Sequence, residues 1–240
     1  MNYQDSPINF KKGKLVSGVI YPEFFPLNHT QTVLNIGCGD GVQALVYQGN
    51  FKKMLGVDVN AKSLDTARQL INYYHLDNFE VMSANVEDLP LHEDFDRILA
   101  IDIIEHVIHP DLMLKEAYRL LKPDGLAMIT FPAMHDKWER LFRFVGRQIL
   151  RRRPKSSPKE GWDPDQHQYN YSLAQWQALV SAAGFKMITC RATTMFPPLH
   201  YLGLPKFWFS NNLIRKIDGL ISRIPIIKNF GQSLVCIYKK

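Results

Sequence analysis

Three alternating glycines, Gly37-Cys38-Gly39-Asp40-Gly41, follow directly on the apolar run Val33-Leu34-Asn35-Ile36. Glycine tolerates positive φ and carries no side chain, so a strand that breaks into such a turn and then into a helix lets a ligand lie against backbone N–H groups. The spacing is Gly-x-Gly-x-Gly, whereas a dinucleotide site uses Gly-x-Gly-x-x-Gly to make room for a pyrophosphate. Asp58 stands at the carboxyl end of the next apolar segment, Phe51 to Val57, where a carboxylate can accept both hydroxyls of a ribose. A second group, Asp102, Glu105 and His106, is spaced i, i+3, i+4. On a starting helical turn these side chains would share a face, and two carboxylates with an imidazole can ligate a divalent cation. Histidine titrates near neutral pH, which makes His106, His135 and His167 the candidate general bases. His29 and His75 fall on loops away from the expected mouth.

Positioning these groups takes a parallel sheet. After the strand at Val33 to Ile36, the sequence predicts strands over Phe51 to Val57, Phe79 to Ala84, Phe95 to Asp102, Leu126 to Phe131, Phe185 to Thr193 and Ser233 to Tyr238. Asp111 to Leu121 reads as an amphipathic helix, ended by a turn over Lys122-Pro123-Asp124-Gly125. Ser172 caps a helix running to Ala183, with Gly184 as its stop. Chirality and sequential adjacency favour a doubly wound α/β arrangement for the parallel part. Three ligand-facing loops then follow three successive strands.

The glycine turn, Asp58 in Leu55-Gly56-Val57-Asp58-Val59-Asn60, the loop Asn85-Val86-Glu87-Asp88-Leu89-Pro90 and the fourth strand resemble, in order and spacing, the class I S-adenosylmethionine-dependent methyltransferases. The resemblance is close over about Thr30 to Pro132 and looser beyond. It implies a seven-stranded, mostly parallel, Rossmann-like sheet with one antiparallel strand inserted by the final pair. It also implies that the methionine part of S-adenosylmethionine lies on Gly37 to Gly41, the ribose on Asp58, and the adenine against Val59, Asn85 and Val86. Asn35, Cys38 and Ile101 complete the cofactor set, and S-adenosylhomocysteine is the product. Asn35 and Asn85 stand where the family commonly has acidic residues, but an amide oxygen can still accept a hydrogen bond. Cys38 is read as a packing residue rather than a nucleophile. The run Asp102-Ile103-Ile104-Glu105-His106 resembles the Glu-x-x-Glu-His ligand motif of quinone-biosynthesis O-methyltransferases, with Asp102 in the first position. Without a metal, Glu105 and His106 would fix the substrate loop by hydrogen bonds.

With 240 residues, 46% of them hydrophobic, the chain can bury a full core as one methyltransferase domain, 1–240. Cys38, Cys190 and Cys236 are too few and too scattered for a disulfide framework, which favours a reducing compartment. The opening residues lack the basic start and apolar run of a signal peptide. The expectation is a cytoplasmic protein, with the inner membrane face as a peripheral location. An insertion over 133–171 exceeds a simple connector and is expected to form a helical cap over the pocket. Pro132-Ala133, Trp138, His167 and Tyr171 are similar to the cap of bacterial small-molecule members of the family.

Inside the cap, 137–150 reads as an amphipathic helix running into the basic cluster Arg151-Arg152-Arg153-Pro154-Lys155, a large part of the net charge of +6. That cluster is either a solvated face or a contact for a phosphate-bearing partner. Leu213, Ile214, Ile217, Leu220, Ile221 and Ile224 form an apolar stripe that either packs on the sheet or meets a membrane, preceded by Phe207-Trp208-Phe209 as a candidate subunit contact. Methyl transfer to an oxygen of a small-molecule or lipid-linked acceptor is the function expected. The alternatives are an RNA methyltransferase using the basic cluster and a cofactor-binding module without catalysis.

Overall fold

The computed structural model describes residues 24–132, 171–193 and 233–240, together with Pro22, Gln168, Tyr169, Ile217, Leu220 and Ile221. The described elements run β1 (Thr32–Ile36), α1 (Val42–Val46), β2 (Lys53–Asp58), α2 (Ala61–Tyr74), β3 (Phe79–Ser83), β4 (Phe95–Ala100), α3 (Pro110–Leu120), β5 (Leu121–Pro132), α4 (Leu173–Ala182), β6 (Lys186–Thr193) and β7 (Ser233–Lys239). The seven strands form one sheet in the order β3-β2-β1-β4-β5-β7-β6. All pairs from β3 to β5 are parallel, and β7 enters antiparallel between β5 and β6. This is the expected doubly wound sheet with one reversed strand.

Two cores, one on each face, follow from the two-residue period of the strands. Leu34, Ile36, Ile98, Ala100, Ala127, Ile129, Phe131, Cys236 and Tyr238 face α3 and α4. Val33, Leu99, Met128, Val235 and Ile237 face the side that holds α1 and α2 residues such as Val42, Leu45 and Leu70. Both faces of the central strands are covered, so β1 and β7 read as nearly continuous apolar runs, whereas on the edge strand β6 Met187 and Ile188 are half exposed.

Local chemistry sets the helix ends. The Asn60 side chain accepts from the Ser63 N–H at 3.2 Å and starts α2. Ser172 and Gln175 form a reciprocal capping box at α4, and Gly184, with φ of 106°, stops it. The turn expected over Lys122 to Gly125 is instead an irregularity inside β5. Leu121 pairs with Phe95 and Leu126 with Arg97, so four residues stand opposite the single Asp96. The bulge brings Lys122 Nζ to 2.8 Å from Asp96 Oδ1, while Asp96 Oδ2 accepts from the Thr32 N–H and hydroxyl.

The reading of the cysteines is also corrected. Cys190 and Cys236 are 46 positions apart in sequence, yet they are register partners on β6 and β7, with Cα atoms 4.0 Å apart and joined as a disulfide. Antiparallel pairing brings together what sequence distance separates. Of the apolar stripe, Ile217, Leu220 and Ile221 are among the described residues, and Ile217 and Leu220 are 37% and 62% exposed. No helix among the described residues is long and apolar enough to cross a membrane. The expected cap helix, the basic cluster, Phe207 to Phe209, His135 and His167 lie outside the described residues.

Candidate functional site

The glycine turn opens at the carboxyl end of β1, and its shape depends on the absence of side chains. Gly37 has φ of 67°, and a Cβ there would lie 2.6 Å from Ile103 Cγ1. Gly41 has φ of 77°, and a Cβ there would meet Phe79 at 2.9 Å. The first of these contacts seats the loop after β4 directly on the turn. The backbone donors of the turn were expected to face a ligand. The Gly37 and Cys38 N–H groups instead donate to the Val57 carbonyl at 2.8 and 3.0 Å, and the Gly41 N–H donates to the Cys38 carbonyl. Continuing the β1 to β2 ladder past the strand end uses these donors, so the turn offers mainly a side-chain-free surface. Cys38 is buried, with its sulfur 2.8 Å from where a Cβ on Gly56 would sit, as a packing residue requires.

Asp58 ends β2, and its carboxylate braces the site. Oδ2 accepts from the Gly39 N–H and Oδ1 from the Asn60 N–H, each at 2.8 Å. Each oxygen keeps lone-pair capacity for a further donor such as a sugar hydroxyl. Val59 beside it is 52% exposed, an apolar surface open at the strand ends. Across the mouth, Val86 is buried in the loop after β3, and Asn85 shapes that loop by accepting the Glu87 N–H at 3.0 Å through Oδ1. Ile101 is buried just past β4. Asn35 lies beneath the turn, fully buried, and neither its Oδ1 nor its Nδ2 has a hydrogen-bond partner among the described residues. An amide left unpaired in this way costs free energy unless a water or ligand group completes it. The expected cofactor residues thus all converge on one end of the sheet, with an unsatisfied polar group, open apolar surface and a side-chain-free turn, and they fit a nucleoside carrying an amino-acid tail.

The loop after β4 departs from expectation. Asp102 has φ of 51°, a left-handed conformation that interrupts helical progression, so Asp102, Glu105 and His106 do not line one helix face. Thr130 on β5 stabilises the kink: its Oγ1 accepts from the Asp102 N–H at 2.8 Å, and its hydroxyl donates back to Asp102 Oδ1 at 3.2 Å. Among the described residues no three His, Cys, Asp or Glu side chains gather as a metal-binding group. Glu105 is 3% exposed, and its Oε2 has no partner among the described residues. Burial, with the nearby Asp102 charge second, pushes its carboxyl up to about 8. Its Oε1 lies 3.9 Å from His106 Nε2. The arrangement is a buried carboxyl, whose neutral form burial favours, beside a partly exposed imidazole.

Sequence reasoning did not anticipate Glu87 as a site residue. Its Oε1 accepts from both the Ile108 and His109 N–H groups at 2.9 Å, capping α3 from a different loop. His109 makes no side-chain cap bond of its own, and nothing in the local sequence ties Glu87, 22 positions away, to this helix start.

An open, doubly wound sheet with a glycine turn after β1 and a carboxylate ending β2 defines a nucleoside-binding α/β domain. The chain belongs to the methyltransferase domain family, whose pattern matches residues 14–189, within the class I S-adenosylmethionine-dependent superfamily. S-adenosylmethionine is the cofactor that this family and fold imply.

Among relatives, (S)-coclaurine N-methyltransferase of Papaver somniferum is 30% identical over 53% of this chain and 37% of its own length. Ubiquinone biosynthesis O-methyltransferases of Nitrobacter winogradskyi and Acinetobacter baylyi are 31% and 26% identical, over 45% and 75% of this chain and 40% and 72% of their own lengths. The chain therefore spans less than half of the first two relatives. A solved S-adenosylmethionine-dependent methyltransferase of Thermotoga maritima superposes with a TM-score of 0.61 at 19% identity, over 96% of this chain and 94% of its own. The [4+2]-cyclase SpnF superposes at 0.60 with 17% identity, over 95% of this chain and 79% of its own. These likenesses show the fold alone, which hosts more than one reaction.

Proposed function

We propose that this chain transfers a methyl group from S-adenosylmethionine to an oxygen of a small-molecule or lipid-linked acceptor, as one domain over 1–240. The observation that carries the reading is the Glu105 and His106 pair on a loop whose Ile103 packs against Gly37. Packing of this loop against the turn on which the cofactor's methionine part would lie supports His106 as the general base. The names of the ubiquinone O-methyltransferase relatives support an oxygen acceptor.

In this reading Asp58 holds the ribose, Val59, Asn85 and Val86 the adenine, and Asn35, Cys38 and Ile101 line the floor and wall near the glycine turn. When bound, S-adenosylmethionine supplies an electrophilic methyl on a sulfonium, which leaves as S-adenosylhomocysteine. His106 takes the proton of the acceptor hydroxyl, and Glu105, protonated near neutral pH, keeps a second negative charge from accumulating beside Asp102. Positioning the oxygen in line with the methyl is the larger part of the task. His135 and His167 are the other candidate bases, and Tyr169 and Tyr171 lie on the acceptor side.

The test is to incubate the protein with methyl-labelled S-adenosylmethionine and fractionated lysate, with Asp58→Ala as control, and to count label in organic-extractable, aqueous small-molecule and RNA fractions. Label in an organic or small-molecule fraction, dependent on Asp58 and stable as an ether or ester, supports the proposal. Label on nitrogen replaces the oxygen acceptor, and label confined to RNA makes Arg151 to Lys155 the contact. Tight cofactor binding with no label in any fraction supports a non-catalytic module.

A further inference from the structure

Glu87 ties the loop after β3 to the loop after β4 by a carboxylate that bridges two backbone donors. Its Oε1 receives the N–H groups of Ile108 and His109, both at 2.9 Å. Its own N–H donates to Asn85 Oδ1 at 3.0 Å, so it belongs to the same tight turn as Asn85 and Val86. From Ile108 the chain of bonds continues: its carbonyl accepts the Tyr169 hydroxyl, and the Glu105 carbonyl accepts the Gln168 N–H at 2.7 Å. Tyr169 in turn packs with Tyr171 and Trp176, at ring-centroid distances of 4.9 and 6.4 Å. The turn that carries Asn85 and Val86 and the pair Gln168 and Tyr169 are thus both bonded to residues 105–109.

That turn is also braced further along. The Leu89 N–H donates to Glu116 Oε2, and Arg119 donates to the Leu89 and Leu91 carbonyls. The turn is therefore bonded to α3 as well, and Glu87 adds its own two bonds to the loop that follows Glu105 and His106. Two carboxylate-accepted bonds are stronger than neutral ones, so ordering the turn orders residues 108–109 with it.

We propose that Glu87 is a positioning residue that couples occupancy of the adenine side to the order of the acceptor side, through Ile108 to Tyr169 and through Glu105 to Gln168. This rests on the cofactor placement proposed above. Filling the pocket against Val86 and Asn85 stiffens the turn, Glu87 transmits this to residues 105–109, and Gln168 and Tyr169 are held for the acceptor. By linkage, an acceptor that orders Tyr169 tightens the cofactor by the same factor.

Hydrogen–deuterium exchange with S-adenosylhomocysteine as the probe tests this without knowing the acceptor. In the wild type, saturating S-adenosylhomocysteine slows exchange at Gln168 by about fivefold or more, the lower range of site-to-site coupling. Glu87→Ala abolishes that slowing while calorimetry still shows S-adenosylhomocysteine binding. Glu87→Gln, whose amide oxygen can still accept both N–H groups, restores most of it, which separates a specific contact from general loosening. Tyr169→Phe cuts the path one step later, reducing the response at Tyr169 and its neighbours but keeping it at Ile108 and His109. Slowing that persists at Gln168 in Glu87→Ala overturns the coupling, and so does a wild type that binds S-adenosylhomocysteine without any response at Gln168. A wild type that does not bind S-adenosylhomocysteine fails the underlying site reading as well, and calorimetry distinguishes that failure from the other two.

Discussion

His106 and Glu105 differ in burial, and under the proposed function that difference separates their roles. The His106 side chain is 20% exposed and Glu105 only 4%, so the imidazole is the more accessible of the two. Replacing His106 with Ala is expected to lower turnover by about 10²- to 10⁴-fold, the usual contribution of a positioned acid or base, with S-adenosylmethionine affinity nearly unchanged. Steady-state kinetics beside titration calorimetry checks this, and a large loss of cofactor affinity would refute a purely catalytic role. Glu105 makes a separate prediction about stability. Its carboxyl releases the proton near pH 4.5 when unperturbed and near pH 8 in the fold, so between these values the unfolded chain binds fewer protons than the folded one. The carboxyl's contribution to stability is thus complete below about pH 4.5 and declines as pH rises through 8. Glu105→Gln should flatten that decline and raise the melting temperature at pH 8 relative to the wild type, read from melting curves across the range.

At the scale of elements, the site is made by turns at strand ends, and each turn is held by contacts from a neighbouring strand or loop. The β1 turn is closed by the Val57 carbonyl and the Asp58 carboxylate of β2, the Asp102 kink by Thr130 of β5, and the start of α3 by Glu87 from the loop after β3. Gly37→Ala is the sharpest test of the first. Its φ of 67° and the 2.6 Å approach of Ile103 add backbone strain to a steric clash, for a cost of about 1–3 kcal/mol. The melting temperature should fall, and activity should fall further, because relief of the clash pushes away the loop that holds Glu105 and His106. An Ala variant with unchanged stability would show that Ile103 moves aside freely.

For the whole molecule, the disulfide joins the two strands that flank residues 194–232. Its Cys236 also pairs in register with Ile129 of β5, so the link fastens the edge strand β6 to an interior strand of the sheet. Closing a loop of 46 residues contributes up to about 4 kcal/mol in the chain-entropy description. Cys190→Ala should therefore lower the melting temperature of the non-reduced protein. A thiol reductant should bring the wild type down towards the variant and leave the variant unchanged; equal melting temperatures in every condition would show that the link adds nothing. The Asp96 cluster acts at the opposite end of the sheet from the site. Burial tends to raise its carboxyl, but hydrogen bonds from Lys122 and Thr32 outweigh it and lower it to about 2, so this group stabilises the fold above its ordinary range and loses that contribution as pH falls through about 2.

What the sequence by itself determined is what short stretches of chain decide. Gly37, Gly39 and Gly41 after an apolar strand specify the turn through φ preference, Ser172 specifies the start of α4 as its cap, and apolar periodicity specifies the strands. Asp58 was legible because its place follows from the length of β2. Only the tertiary structure decided the pairing of Cys190 with Cys236, the reach of Glu87 to Ile108 and His109, the Lys122 bulge against Asp96, and the burial that keeps Glu105 protonated. Each of these depends on strand register or loop packing between residues 20 or more apart in sequence or on the solvent each group loses. Residue type and spacing say what a side chain can do, whereas its partner and its exposure to water are properties of the assembled sheet. The Asp102 to His106 segment shows the difference most directly: its spacing allowed a shared helical face, and a left-handed φ at Asp102, stabilised by Thr130 from another strand, removed it.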